Sequence, residues 1–201
     1  MAFLVLVRHG ESTANLANVF TGWLDVDLSP AGEAEALAVA AKLRAFQFDE
    51  AFTSTLRRAE RTLALILGAI GQATIPVRRS PALRERMYGD LQGLNKAEVA
   101  LKYGQRQVDT WRRSYDVAPP NGESLQQTQA RTVQYYEQEM APLLRQHKNL
   151  LLVAHGNTLR GLRMYLEQLT PAQVATLEIV TGSVHVYRLD EQAAIVEMYD
   201  L

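Results

Sequence analysis

The chain has no cysteine. Disulfides, cysteine-based zinc sites and thiol nucleophiles are excluded at once. Neither charge sign dominates: 21 Lys+Arg stand against 22 Asp+Glu, a net charge of −1. That argues against a globally basic nucleic-acid binder. Apolar runs such as Ala2–Val7 and Leu150–Ala154 fall far short of a membrane span. The first residues, Met1 to Arg8, show no basic start, too short an apolar stretch for a signal peptide and no small-residue cleavage site. There is also no repeat, low-complexity segment, charge block or linker. What remains is 201 residues, 47% apolar and 21% charged. The expectation is one globular domain over residues 1–201, cytoplasmic, with neither a nucleic acid nor a membrane as partner.

Strand-like and helix-like segments alternate. Phe3–Val7 reads as a strand buried on both faces that stops at Arg8-His9-Gly10. A helix is expected from about Ser29 to Phe46, capped by Ser29 with Pro30 in its first turn and Ala34, Leu37, Ala38 and Ala41 on one side. Ala51–Thr53 suggests a short strand, Leu56–Ile70 a helix stopped by Gly71, and Ile75–Arg78 a third strand. Asn95 with Glu98 opens a helix to about Gly104, and another spans Gln105–Arg113. After the Pro119-Pro120-Asn121-Gly122 loop, Ser124 with Gln127 opens a long helix to about Gln146. Leu150–Ala154 is a strand ending in His155-Gly156-Asn157, with a helix from about Thr158 and a short one opened by Thr170-Pro171. Val184–Leu189 and Ala194–Tyr199 lie too close together for a helical crossover and should form a hairpin. The pattern predicts a three-layer α/β fold: a mostly parallel central sheet, one antiparallel edge strand, and helices on both faces.

Ligands in such folds bind beyond the carboxyl ends of the parallel strands. Two apolar strands end there in His-Gly, at His9 and His155. Zinc would need three or four ligands, and His147, near a helix end, and His185, within a strand, are poorly placed to complete a set. The other reading is phosphoryl transfer through a histidine. Neutral imidazole is nucleophilic near pH 7. The charge on a phosphoryl group in transfer must be met by fixed donors, and arginine forks suit phosphate best. Arg8 precedes His9, and Arg57-Arg58 follow the second strand at the same rim. A second basic group, Arg112-Arg113 with Lys96 and Arg86, suits another anionic end of a ligand. Glu85, between Arg84 and Arg86, could hand a proton to a leaving oxygen if burial kept it protonated.

With these residues the chain resembles the histidine phosphatase superfamily and, more narrowly, its 2,3-bisphosphoglycerate-dependent phosphoglycerate mutases. The likeness runs through Leu6–Ser12, Phe20–Trp23 with Asp25 and Asp27–Ser29, Ser54–Ala59, Glu85–Gly89, Gly93–Glu98, Trp111–Arg113 and His155–Gly161. It implies a phosphoglycerate mutase-like fold and a metal-free isomerase of glycolysis and gluconeogenesis. Such enzymes interconvert 3-phosphoglycerate and 2-phosphoglycerate through a phosphohistidine, primed by 2,3-bisphosphoglycerate. The resemblance makes His9 the nucleophile, sets Arg8, Arg58 and His155 around the phosphoryl group, and makes Glu85 the general acid and base. Asn15, Thr21, Gly22, Tyr88, Lys96, Arg112, Arg113 and Asn157 would contact the substrate, with Ser12, Arg86, Met87 and Gly156 beside them. Longer family members carry an insertion where only Asn121-Gly122 separates Pro120 from Glu123 here, and a tail beyond the last strand. These differences leave the balance of mutase over phosphatase activity and self-association into a homo-oligomer open. The alternative is a histidine phosphatase that hydrolyses small phosphorylated metabolites.

Overall fold

The computed structural model describes residues Met1–Leu201. Its elements are β1 (Ala2–Arg8), α1 (Thr13–Leu16), α2 (Pro30–Leu43), β2 (Glu50–Thr53), α3 (Arg57–Ala69), β3 (Val77–Arg79), α4 (Lys96–Tyr103) and α5 (Gln105–Arg113). They continue with α6 (Leu125–Tyr135), α7 (Ala141–Arg145), β4 (Leu150–Ala154), α8 (Gly156–Leu166), α9 (Pro171–Thr176), β5 (Val184–Leu189) and β6 (Ile195–Asp200).

The six strands form one sheet in the order β3-β2-β4-β1-β5-β6. Strands β3, β2, β4 and β1 pair in parallel, and β5 is antiparallel to both β1 and β6. The expected hairpin is there. The strand that runs against the others is β5, one in from the edge; β6, opposed to β5, runs with the parallel group.

Alternation along the strands divides the core in two. Leu4 and Leu6 of β1, Leu150 and Leu152 of β4, and Tyr187 of β5 point to one face, where they meet Met140, Leu144, Leu159 and Leu162. Val5 and Val7, Leu151 and Val153, and Val184 and Val186 point to the other, against Val39, Leu43, Leu63 and Ile66. Helices α2 and α3 thus cover one face, and α6, α7 and α8 cover the other. The chain leaves β1 by a helix on the first side and leaves β4 by a helix on the second. The carboxyl ends of these two adjacent strands are therefore the switch point at which such sheets open a crevice. A smaller cluster (Phe20, Leu91, Val99, Val108 and Trp111) fastens α4 and α5 across that crevice.

Several details depart from expectation. The buried stripe of α2 is Gly32, Ala36, Val39, Ala40 and Leu43, while Ala34, Leu37, Ala38 and Ala41 face solvent. The alanines make both stripes equally apolar by composition, so the larger side chains Val39 and Leu43 decide which face packs. The single helix expected to Gln146 is α6 and α7 joined by a π-helical turn, Tyr136–Met140. Pro142 explains it: proline donates no backbone hydrogen bond and crowds the carbonyl four residues before it. Helix α8 starts at Gly156, with His155 as its N-cap, two residues before the expected start. Helix α1, not foreseen, is closed by reciprocal hydrogen bonds between Ser12 and Asn15. No helix is long and apolar enough to cross a membrane.

Candidate active site

Strands β1 and β4 are in register with Arg8 opposite Ala154. The residues that follow, His9 and His155, therefore emerge side by side, their rings 4.9 Å apart at 63°. Gly10 is required where it stands, because a Cβ there would lie 2.2 Å from the carbonyl oxygen of Gly32 at the start of α2. Gly156 carries no such demand; its nearest neighbour, the Arg8 guanidinium, would be at ordinary contact distance.

His9 is buried. Its Nδ1 lies 2.6 Å from the carbonyl oxygen of Gly10. A carbonyl only accepts, so Nδ1 carries the proton and Nε2 presents its lone pair. Arg58 Nε donates to that Nε2 at 3.3 Å. Burial first, then the charges of Arg58 and Arg8, hold His9 well below the usual imidazole pKa, so the ring is neutral. His155 is fully buried and lowered in the same way, by burial and then by Arg58. Its Nε2 lies 2.7 Å from Ser54 Oγ, a partner from the end of β2 that sequence reasoning missed.

Neither arginine around His9 is neutralised by an ion pair. Arg58, 1% exposed, donates to the carbonyls of Gly22 and Leu24 at 2.9 Å each. Burial lowers its pKa to about 10, which leaves it charged at neutral pH. Arg8 donates to Ile179 O at 2.5 Å, and its buried Nε has no protein partner. These are charged donors anchored by neutral carbonyls, which keeps their attraction available to an incoming anion.

Glu85 closes the other side. It lies in an extended segment held by Trp23 Nε1, which donates to Glu85 O at 2.7 Å, and by Arg131 Nη2, which donates to the same oxygen at 2.9 Å. Its carboxylate accepts from the backbone N–H of Asn157 at 3.2 Å and from that of Arg86 at 2.7 Å. It thus caps the amino end of α8, where negative charge is favoured.

Arg8, His9, Arg58 and Glu85 share a cavity of about 280 Å³ with Asn15, Thr21, Gly22, Tyr88, Lys96, Arg112, Arg113, Gly156 and Asn157. Burial and then the charge of Arg112 lower the Lys96 pKa. Six basic side chains (Arg8, Arg58, Lys96, Arg112, Arg113 and Arg160) line it against two carboxylates, Glu85 and Glu178. Glu178 is engaged by Arg113 at 2.5 Å. An anionic ligand is what such a lining attracts. No three His, Asp or Glu side chains come together in a way that could hold a metal ion.

Four of the expected residues stand outside the lining. His155 is packed behind His9. The Ser12 side chain is committed to capping α1. Arg86 is wholly buried, donating to Tyr88 OH at 2.9 Å and to Arg112 O at 3.1 Å. Met87 is held through its backbone N–H, which donates to Glu123 Oε2 at 2.9 Å. Conversely, Arg160 and the stretch Leu177–Val180 line the cavity without having been foreseen. Arg160 carries a faint signal, one helical turn beyond Asn157; Leu177–Val180 carries none.

An α/β scaffold with paired histidines at adjoining strand ends defines a recognisable class. The chain belongs to the histidine phosphatase superfamily (branch 1), whose family model matches residues 4–200. It is 53% identical over 200 residues to a 2,3-bisphosphoglycerate-dependent phosphoglycerate mutase of Nitrobacter winogradskyi, covering 98% of this chain and 97% of that protein. It is 51% identical over 192 residues to the protein of the same name from Cytophaga hutchinsonii, covering 96% and 90%. Among solved structures, a mycobacterial glucosyl-3-phosphoglycerate phosphatase superposes with a TM-score of 0.82 at 27% identity, over 99% of this chain and 96% of that one. An alpha-ribazole phosphatase from Shigella flexneri shares the fold, with a TM-score of 0.84 at 22% identity over 99% and 96%.

Proposed function

We propose that this chain is an isomerase that interconverts 3-phosphoglycerate and 2-phosphoglycerate through a phosphohistidine at His9. The observation that carries the reading is the neutral His9, its Nε2 facing Arg58, in one cavity with Arg8 and with a separate basic group at Lys96, Arg112 and Arg113. A substrate with two anionic ends accounts for both. The residues also suit 2,3-bisphosphoglycerate, since buried Arg8 Nε has no protein partner and faces no competing carboxylate hydrogen bond. That compound would supply the phosphoryl group that loads His9.

Loaded His9 passes its phosphoryl group to the free hydroxyl of the substrate, the Nε2–phosphorus bond breaking as the new ester bond forms. The bisphosphate turns over in the site, and Nε2 then bonds to its other phosphorus as that ester bond breaks. Arg8 and Arg58 offset the charge on the equatorial oxygens, and His155 stands beside them. Glu85 takes the proton of the accepting hydroxyl in the first transfer and gives it to the leaving oxygen in the second. Asn15, Thr21, Gly22, Tyr88 and Asn157 line the space between the two basic ends and would orient the glycerate. Burial of His9 limits water, which would otherwise hydrolyse the phosphohistidine. We infer the cytoplasm as the setting, and leave monomer and homo-oligomer to sedimentation.

The second reading is a phosphatase in which water accepts the phosphoryl group, favoured by the solved phosphatases that share the scaffold. A coupled assay of 3-phosphoglycerate conversion, with and without 2,3-bisphosphoglycerate, separates the two. The expected result is isomerisation stimulated by the bisphosphate and faster than phosphate release. Phosphate release outrunning isomerisation would reverse the choice.

A further inference from the structure

Arg160 is 6% exposed, sits on α8 and forms no ion pair with a carboxylate. Its Nε donates to Val174 O at 3.2 Å, Nη2 donates to the same oxygen, and Nη1 lies 3.1 Å from Asn157 Oδ1. A guanidinium only donates, so the Asn157 atom facing it must be the amide oxygen. The amide nitrogen is thereby turned towards Tyr88, and Nδ2 donates to Tyr88 OH at 3.3 Å. From the other side Arg86 Nη2, also donor-only, reaches the same oxygen at 2.9 Å.

A phenol oxygen has two lone pairs and one proton. Here both lone pairs are met by donors. The proton has no acceptor among the protein's hydrogen bonds, and the side chain lines the cavity. We propose that Arg160 is a positioning residue: by fixing the Asn157 amide it fills the second lone pair of Tyr88 and obliges the Tyr88 hydroxyl to donate its proton to an anionic oxygen of the substrate. The identity of that substrate rests on the reading above; the hydrogen-bond order does not.

The direction of the Tyr88 ionisation agrees. Burial alone would raise it, yet the charge of Arg86 and the hydrogen bonds from Arg86 and Asn157 bring it below the usual phenol value. Without Arg160 the Asn157 amide is free to turn over. Its oxygen then takes the Tyr88 proton, and the substrate loses a donor.

Four variants test this: Arg160→Met, Arg160→Lys, Asn157→Asp and Tyr88→Phe. Ionisation of Tyr88 is read from tyrosinate absorbance as the difference between each protein and its Tyr88→Phe counterpart. Affinity for 3-phosphoglycerate is read by calorimetry. Arg160→Met should move the Tyr88 ionisation to higher pH and weaken 3-phosphoglycerate binding about tenfold, the scale of one hydrogen bond to a charged group. Adding Tyr88→Phe to it should cost little more, and Arg160→Lys should restore part of both. Asn157→Asp keeps the bond to Arg160 but gives the Tyr88 proton an acceptor. It should make binding insensitive to Tyr88→Phe, and it serves if Arg160→Met does not fold. Unchanged Tyr88 ionisation in folded Arg160→Met, or a full Tyr88→Phe penalty in Asn157→Asp, overturns the proposal. A wild-type protein that fails to isomerise while Tyr88 still responds to Arg160→Met refutes the mutase reading and leaves this one standing.

Discussion

The two ends of the cavity are built differently. Around His9, side chains are buried (His9, Arg58) or half-buried (Arg8) and each is tied to backbone: His9 to Gly10, Arg58 to Gly22 and Leu24, Arg8 to Ile179. Around Lys96, Arg112 and Arg113, side chains stand on the short helices α4 and α5 and are partly exposed, and Arg113 leans on Glu178 at the surface. Rigid donors suit the end where charge changes during reaction, because they need no rearrangement as it develops. Partly exposed donors suit the end that captures and releases an anion, and there salt weakens the attraction. On the function proposed above, one end serves chemistry and the other recognition.

The sharpest way to break that contrast is at His9. His9→Ala should abolish acid-labile labelling by 32P-bisphosphoglycerate, and persistent label would remove the nucleophile from this ring. Glu85→Gln comes next. It should lower kcat about 10²–10⁴-fold while binding changes little, since the lost proton donor acts in the transition state. Unchanged turnover would dismiss Glu85 as the acid.

The buried end should also show itself in the pH dependence of stability. His9 and His155 are held neutral by burial, so their folded pKa values lie below the unfolded value of about 6.5. Below that pH the unfolded chain binds protons that the folded one refuses. Stability is therefore full above about pH 6.5 and falls as pH drops, by up to ~1.4 kcal/mol per pH unit for each ring. Urea midpoints taken from about pH 7 to about pH 5 should show a shallower loss in His155→Gln, and an equal slope would mean the ring is not held neutral.

At the recognition end, Arg112→Met should raise KM about tenfold with kcat nearly kept, an effect that shrinks in added salt. A kcat loss instead would erase the division of labour. The smallest effect belongs to Glu178→Gln. It frees Arg113 from an exposed ion pair of the kind worth at most about 1 kcal/mol, so KM should fall no more than a few-fold. A rise in KM would show that Glu178 holds Arg113 in place instead of competing for it.

Local chemistry was written plainly in the chain. The strand ends at His9 and His155, the Ser29 and Asn95 caps, the closing hairpin and the arginines beside the first and second strands could all be found by reading along it. The caps could be found because a side-chain acceptor two or three residues before an N–H acts locally, whatever the rest of the fold does. The cavity's second wall was not readable in this way. Leu177–Val180 has no periodicity or motif, and it lines the site where Arg8 reaches across to Ile179. Ser54 likewise meets His155 across 101 residues of chain.

The alternation of strands and helices, the paired His-Gly ends and the supply of arginines were properties of the sequence alone, because residue type and spacing suffice to specify them. Which face of α2 is buried, which tautomer His9 holds and which way the Asn157 amide turns were decided only by tertiary structure. Each depends on a partner brought close by packing: the larger side chains of α2 on the sheet, the Gly10 carbonyl against Nδ1, and the Arg160 guanidinium against Oδ1. A one-dimensional pattern records what a residue is able to donate or accept; only the fold sets who stands opposite.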